Sequence, residues 1–481
     1  MKRLTALTLL FALQFSFCIQ AQAIQDNINT AEQLNSTTTE KKDSTKKEKK
    51  SWNLFKKKNK DESLKAKVEY INTDWWSSFQ DPYLSEYIAL ALQKNHDMKI
   101  ATISTEEYYQ NYKIQFGTEL PQIGVGFSPA LVKMPGTSDS VGAFSLPGIA
   151  NYEADIFLKN RDKTKSVQKQ YEASLIDERA AYIAVASAVG TVYFNIVRMD
   201  KTIELQKEIN KQRQEIYDLM VLSNKEGLTS AADTVRANKA LVKGQSDLIE
   251  LEKQREKLLN QLAVLVGESP ENKNSLKRIT LDELIIANKI PAQVSSEIIE
   301  NRPDYLRAAK MVEKAGIDVR VAKKEFLPTI NLTGLAFFNS FADFGSLFTT
   351  KNMLWSLAAG AMLPVFTGGK RIANLRLKKA QYERVLQEYL KTNLQAIQEV
   401  NDAMVSANLD WEKLSRTLEQ QKLEEKDFNY NQMKYDQGVI SKLDLIQFRE
   451  NLLTINQLVA QQKTEYLVDY IGLYKACGAR I

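Results

Sequence analysis

Residues 434–449 read KYDQGVISKLDLIQFR, and residues 223–238 read SNKEGLTSAADTVRAN. In each, a glycine interrupts a long proline-free stretch and an aspartate follows six residues later: Gly438 and Asp444 in one, Gly227 and Asp233 in the other. A further 34 residues on stand Gly478 and Gly267. The two segments lie 211 residues apart, and Tyr171 and Tyr382, each inside a Gln-Tyr-Glu triplet, keep that offset. Upstream, Asp97 precedes Leu120-Pro121 and Ile123 by the spacing with which Asp304 precedes Leu327-Pro328 and Ile330, an offset of 207. Composition alone does not produce such a series, so the chain carries one structural unit twice, as residues 68–270 and 271–481.

Punctuation within a unit sets its architecture. No proline occurs from Gly148 to Ser269 or from Val365 to the end, so these regions read as helix. Residues 160–226 and 371–437 count 67 each, roughly 100 Å as continuous helix. The stretches after the turn glycines, 228–266 and 439–477, count 39 each, and 84–118 and 292–326 count 35 each. Two shorter helices end to end therefore match one long partner. Leu445, Phe448, Leu452, Ile455 and Val459 step by three and four, as do several leucines from Leu241 to Leu265, the spacing of a coiled-coil seam or an amphipathic core stripe. Rods of this length exceed a compact domain and favour the seam.

Between the helices, residues 121–158 and 328–366 gather Pro, Gly, Ser and Thr around short alternating runs such as Ile123, Val125 and Phe127, or Trp355, Leu357 and Ala359. Each reads as a β-hairpin. The uncharged runs 327–342 and 353–366 are too short for a membrane helix and long enough for membrane strands of about ten residues. A lone hairpin in lipid leaves backbone groups unpaired. Four strands per chain would close a barrel only as twelve, from three copies.

Lys2 and Arg3, the mostly apolar run Leu4–Phe17 and Ala21-Gln22-Ala23 read as a signal peptide, residues 1–23. Bulky Phe17 before Cys18 disfavours lipidation of that cysteine, the rival processing. Residues 24–67 hold twelve lysines against seven acidic residues, and read as a flexible Lys-rich tether. Of the net charge of +6, this leaves the body near neutral, a poor partner for nucleic acid. Two cysteines, Cys18 and Cys477, and one histidine, His96, supply neither a disulfide framework nor a Cys/His metal site. No nucleophile elbow, P-loop or zinc-protease motif occurs, so the sequence proposes no enzyme, cofactor or metal.

Trp75-Trp76, Phe79, Asp81-Pro82 and Leu84 resemble the opening motif of the TolC-like outer-membrane channels that serve RND-type efflux pumps, as do Ala91-Leu92 and Asn95 after it. Asn301-Arg302-Pro303-Asp304, Phe326-Leu327-Pro328, Pro364-Val365-Phe366 and Gly368-Gly369-Lys370-Arg371 resemble the second half of that family. Tyr435-Asp436-Gln437-Gly438 with Ser441 and Asp444 resembles its periplasmic tip turn. The resemblance spans about residues 72–478. It implies a mainly α protein with membrane β: long antiparallel coiled-coil helices plus two β-hairpins per protomer. Three protomers would form a 12-stranded β-barrel continued by an α-helical barrel. It further implies an exit duct in the outer membrane, with a periplasmic helical extension and outer-membrane lipid around it. A periplasmic adaptor and an inner-membrane RND pump would be its partners.

By the same resemblance, Asp444, Asp233, Tyr435 and Gln447 are candidates for the channel gate at the tip. Gly227, Leu228, Ser230, Gly438, Val439 and Ser441 are candidates for adaptor contact. Gln447 stands where some relatives carry a second carboxylate, and Ile440 where one branch carries an arginine. For Asp233 and Asp444 the competing reading is compensation of the helix dipole. Two other functions stay open: a type I secretion outlet for polypeptides, and a structural coiled-coil envelope protein. The Trp75-Trp76 motif favours efflux of drugs, small toxic compounds or metal ions.

Overall fold

The computed structural model describes residues 73–133, 140–284, 296–340 and 344–479. The signal peptide, the tether and Cys18 lie outside the described residues, as do the ends of both hairpins and the first part of the helix expected over 292–326.

The chain enters with α1 (Thr73–Ser77), α2 (Pro82–Lys94) and α3 (His96–Gly117), followed by strands β1 (Gln122–Val125), β2 (Ser128–Lys133) and β3 (Ser140–Ala154). Helices α4 (Lys159–Lys225) and α5 (Ala231–Leu265) complete the first half. The second half runs α6 (Ser296–Glu300), α7 (Pro303–Lys324), β4 (Thr329–Ser340), β5 (Met353–Met362), α8 (Lys370–Asp436) and α9 (Lys442–Ala476). Both long helices count 67 residues and begin one residue before the expected position. Their shorter partners α5 and α9 count 35 each and start after a serine cap rather than at the glycine.

Three expectations need correction. The helix expected over 84–118 is two helices, because Asn95 leaves helical geometry and its side chain caps α3 through Asp97 N and Met98 N. That asparagine is a good cap, favoured over helix continuation; its Nδ2 also donates to Leu265 O at 2.8 Å. The helix expected over 292–326 begins its long part only at Pro303, whose fixed φ suits the first helical turn. The outer arm of the first hairpin is split: β1 and β2 both pair antiparallel with β3 in one continuous register. The break falls opposite Pro147, which has no N–H for the ladder; its carbonyl still accepts Gly126 N at 2.8 Å.

The hairpins are joined. β3 pairs with β4 over eleven positions, from Phe144↔Ser340 to Ala154↔Ile330, giving one open antiparallel sheet in the order β1/β2, β3, β4, β5. Long α4 packs along α3 and α5, and also along α7 and α9, so the halves share a seam. Leu241, Leu262 and Ile455 of the expected stripes are buried in it.

One stretch of α4 is apolar and long enough to cross a membrane, yet 67% of it is buried. It is core. Tyr193, Phe194 and Ile196 are fully enclosed there, and the entry segment closes over them. Trp75 stacks on Tyr474 at 4.1 Å between centroids, meets Trp76 edge-on at 4.7 Å, and Phe79 reaches Phe194 at 5.2 Å. Buried Asp81 caps α2 through Tyr83 N and Leu84 N, and accepts the Tyr193 hydroxyl. At the opposite repeat boundary, Arg302 is 6% exposed. It donates to both Asp304 oxygens, to Glu399 and to Ala476 O, tying the start of α7 to α8 and the end of α9.

Candidate channel wall and tip

The register gives the sheet two unlike faces. Directly paired residues share a face, so Ile123, Ala150, Gly334 and Leu357 line up, as do Val125, Gly148, Ala336 and Trp355, and Tyr152, Leu332 and Ala359. Apart from Lys133 at the far end of β2, this face carries no charged or amide side chain, and it is open: Ile123 is 77% and Leu357 76% exposed. The reverse face brings together Gln122, Asn151 and Thr333, then Glu153 with Asn331, and Ser145 with Asn339. Ser145 Oγ donates to Asn339 Oδ1 at 2.7 Å, and Thr333 Oγ1 to Asn151 Oδ1 at 3.2 Å. Val132, Ile149, Leu335, Phe337, Leu354 and Met362 interrupt the polar face. An apolar exterior with a polar interior is the pattern of a transmembrane β-barrel wall. β1/β2 and β5 are the edges of this sheet.

The two tip turns are built alike. After α4, Gly227 takes φ +74°, and after α8, Gly438 takes φ +72°, the left-handed conformation in which a Cβ would be strained. Leu228 N then donates to Ser223 O, and Val439 N to Lys434 O, both at 2.8 Å, capping the two long helices. The next helices open with reciprocal capping boxes. Ser230 Oγ accepts from Asp233 N while the Asp233 carboxylate accepts from Ser230 N, and Ser441 with Asp444 repeats this. Both aspartates thus cap the helices that they open, at the first-turn position where a carboxylate also meets the helix dipole.

They differ in what remains. The second oxygen of Asp233 takes Arg236 Nη1 at 3.1 Å, while its hydrogen bonds with Ser230, above all, hold its carboxyl below the ordinary range. The residue corresponding to Arg236 after Asp444 is Gln447, whose amide turns instead to Asn451 Oδ1 at 3.4 Å. Asp444 therefore has no ion-pair partner among the described residues. Arg236 escaped the sequence reading, although the 211-residue offset maps it onto Gln447. Tyr435 closes α8, its carbonyl accepting Gly438 N at 2.8 Å. Leu228 and Val439, 78% and 67% exposed, are the apolar points of the turns. Lys442 pairs with Glu215 at 3.5 Å and Arg213 with Glu450 at 2.5 Å, holding α9 against α4 near the tips.

The sequence model of the outer membrane efflux protein family matches residues 87–268 and 294–479. The chain belongs to that family. It is 26% identical over 421 residues to the antibiotic efflux pump outer membrane protein ArpC of Pseudomonas putida, covering 86% of both chains. It is 25% identical over 426 residues to the cation efflux system protein CusC of Escherichia coli O157:H7, covering 86% of this chain and 90% of that one. The crystal structure of the Campylobacter jejuni CmeC outer membrane channel superposes with a TM-score of 0.77 at 24% identity, over 85% of this chain and 88% of that one. The fold is therefore that of a TolC-like outer-membrane channel, and the family places the chain in the outer membrane as an efflux channel.

Proposed function

We propose that three copies of this chain close a twelve-stranded barrel and a helical tunnel, forming the exit duct of a tripartite efflux system. The observation that carries this is the open, two-faced sheet. Its edges leave backbone groups that lipid cannot satisfy, and four strand rows per copy become a closed wall only by multiplication. Residues 1–23 direct export and residues 24–67 serve as a solvated tether. The duct meets a periplasmic adaptor at its tips and receives cargo from an RND-type pump. Its role is conduction, not catalysis. The cargo is small: drugs, toxic compounds or metal ions, in keeping with relatives named for antibiotic and cation efflux.

Adaptor docking at Leu228 and Val439 is testable in cells lacking their own duct. With the cognate adaptor and pump present, Leu228→Asp with Val439→Asp should return drug resistance to the level without the duct. Both side chains are exposed, so yield and outer-membrane residence should stay unchanged. Full resistance in the double variant would remove these turns from the docking surface.

A further inference from the structure

The helices that leave the sheet begin in a concentration of positive charge that the rest of each helix lacks. Residues 159–169 of α4 hold five Lys/Arg and one Asp, whereas 170–225 hold seven against eight acidic residues. Residues 370–379 of α8 hold five Lys/Arg and no acid, whereas 380–436 hold seven against eleven. The end of α7 adds Arg320, Lys323 and Lys324 at the same level. Most nearby acids are already engaged, Asp155 by the backbone N of Arg161, while one buried oxygen of Glu119 has no hydrogen-bond partner among the described residues. Glu153 pairs with Lys159, Asp162 with Arg320 and Lys324, Asp318 with Lys314, and Glu325 accepts from Asn374. That leaves Arg161, Lys165, Lys323, Lys370, Arg371 and Arg376 without an ion-pair partner among the described residues, and Arg371 Nη1 is buried with no acceptor.

This arrangement is unfavourable within the chain itself. Cations at the first turns of α4 and α8 face the positive end of the helix dipole, and they repel one another. Just before these turns the chain exposes a belt of apolar residues: Ile156, Phe157 and Leu158 before α4, and Leu363, Val365 and Phe366 before α8, the last two 91% and 89% exposed. Apolar wall, apolar and aromatic rim, then Lys and Arg is the order in which a membrane protein crosses from acyl chains to head groups.

We propose that this basic belt binds anionic phospholipid head groups of the periplasmic leaflet, seating the barrel at a fixed depth. The proposal rests on the outer-membrane placement of the sheet. Lys and Arg side chains beside an anionic surface gain from each phosphate, and the gain fades with salt.

The full trimer, reconstituted in nanodiscs of phosphatidylethanolamine with or without phosphatidylglycerol, tests it by native mass spectrometry of retained lipid. The parent should retain phosphatidylglycerol preferentially, and less so at high salt. Arg161→Gln with Lys370→Gln and Arg376→Gln should weaken that retention by about tenfold. Lys239→Gln with Lys257→Gln, on exposed positions of α5, should not. Equal retention of both lipids by the parent, or retention unchanged in the triple variant, would overturn the proposal, pairing with a neighbouring copy being then the fate of these cations. Should the triple variant fail to assemble, the parent's lipid preference and its salt dependence decide alone. Conductance of the parent, measured in both lipids, reports on the duct independently of this outcome.

Discussion

Asp444→Asn in every protomer is expected to abolish the cation preference of the closed duct and its block by divalent cations in planar bilayers. In the proposed trimer three Asp444 carboxylates converge near the axis, where like charges lower the potential and draw in cations. The structure sharpens the choice between the two tip aspartates. Asp233 is matched by Arg236, whereas Asp444 has Gln447 at the corresponding step and no ion-pair partner among the described residues. Asparagine retains the oxygen that accepts Ser441 N, so the cap and the fold should survive with a loss of about 1 kcal/mol or less. Asp233→Asn should leave selectivity nearly unchanged. Parent-like selectivity and block in the Asp444 variant would remove the carboxylate ring from the account.

The largest effect on stability should come from the aromatic closure of α4. Trp76 is 2% exposed, and Trp76→Ala should cost about 3–5 kcal/mol through lost contacts and an unfilled cavity. Gly190 is its complement. A Cβ there would lie 2.6 Å from Trp76 Cζ3 and 2.9 Å from Ile471 Cδ1, so Gly190→Ala should cost about 1–3 kcal/mol by overpacking. Thermal unfolding followed by helical circular dichroism would measure both, and the two should not add, since they disturb one contact. A Gly190→Ala protein as stable as the parent would show that Trp76 packs elsewhere.

Gly190 also shows where the sequence was legible and where it was not. It is the lone glycine in the stretch 160–226, but a glycine in a helix gives no hint of which ring leans on it. Trp76 lies more than a hundred residues away, and only tertiary packing brings it there. The helix lengths were readable because proline and glycine are local signals, and duplication checked each reading against its counterpart. Asn95 misled because a capping residue inside an otherwise apolar-periodic stretch looks like a tolerated polar position until its own backbone is seen to leave the helix. The split of β1 from β2 had a visible cause in Pro147, yet its effect falls on the facing strand, and assigning it required the register. At the tip, turn glycines and aspartates were found by spacing, whereas the difference between Asp233 and Asp444 lay in residues three positions further on.

In the proposed trimer one chain supplies a third of a closed wall. Mass measurement of the detergent-extracted protein tests it most directly. Three chains per particle, with strand signal intact and lost together with the trimer on unfolding, is the predicted result. A stable single chain in detergent that keeps its strand signal would contradict it, because the β1/β2 and β5 edges would then be satisfied without a neighbour.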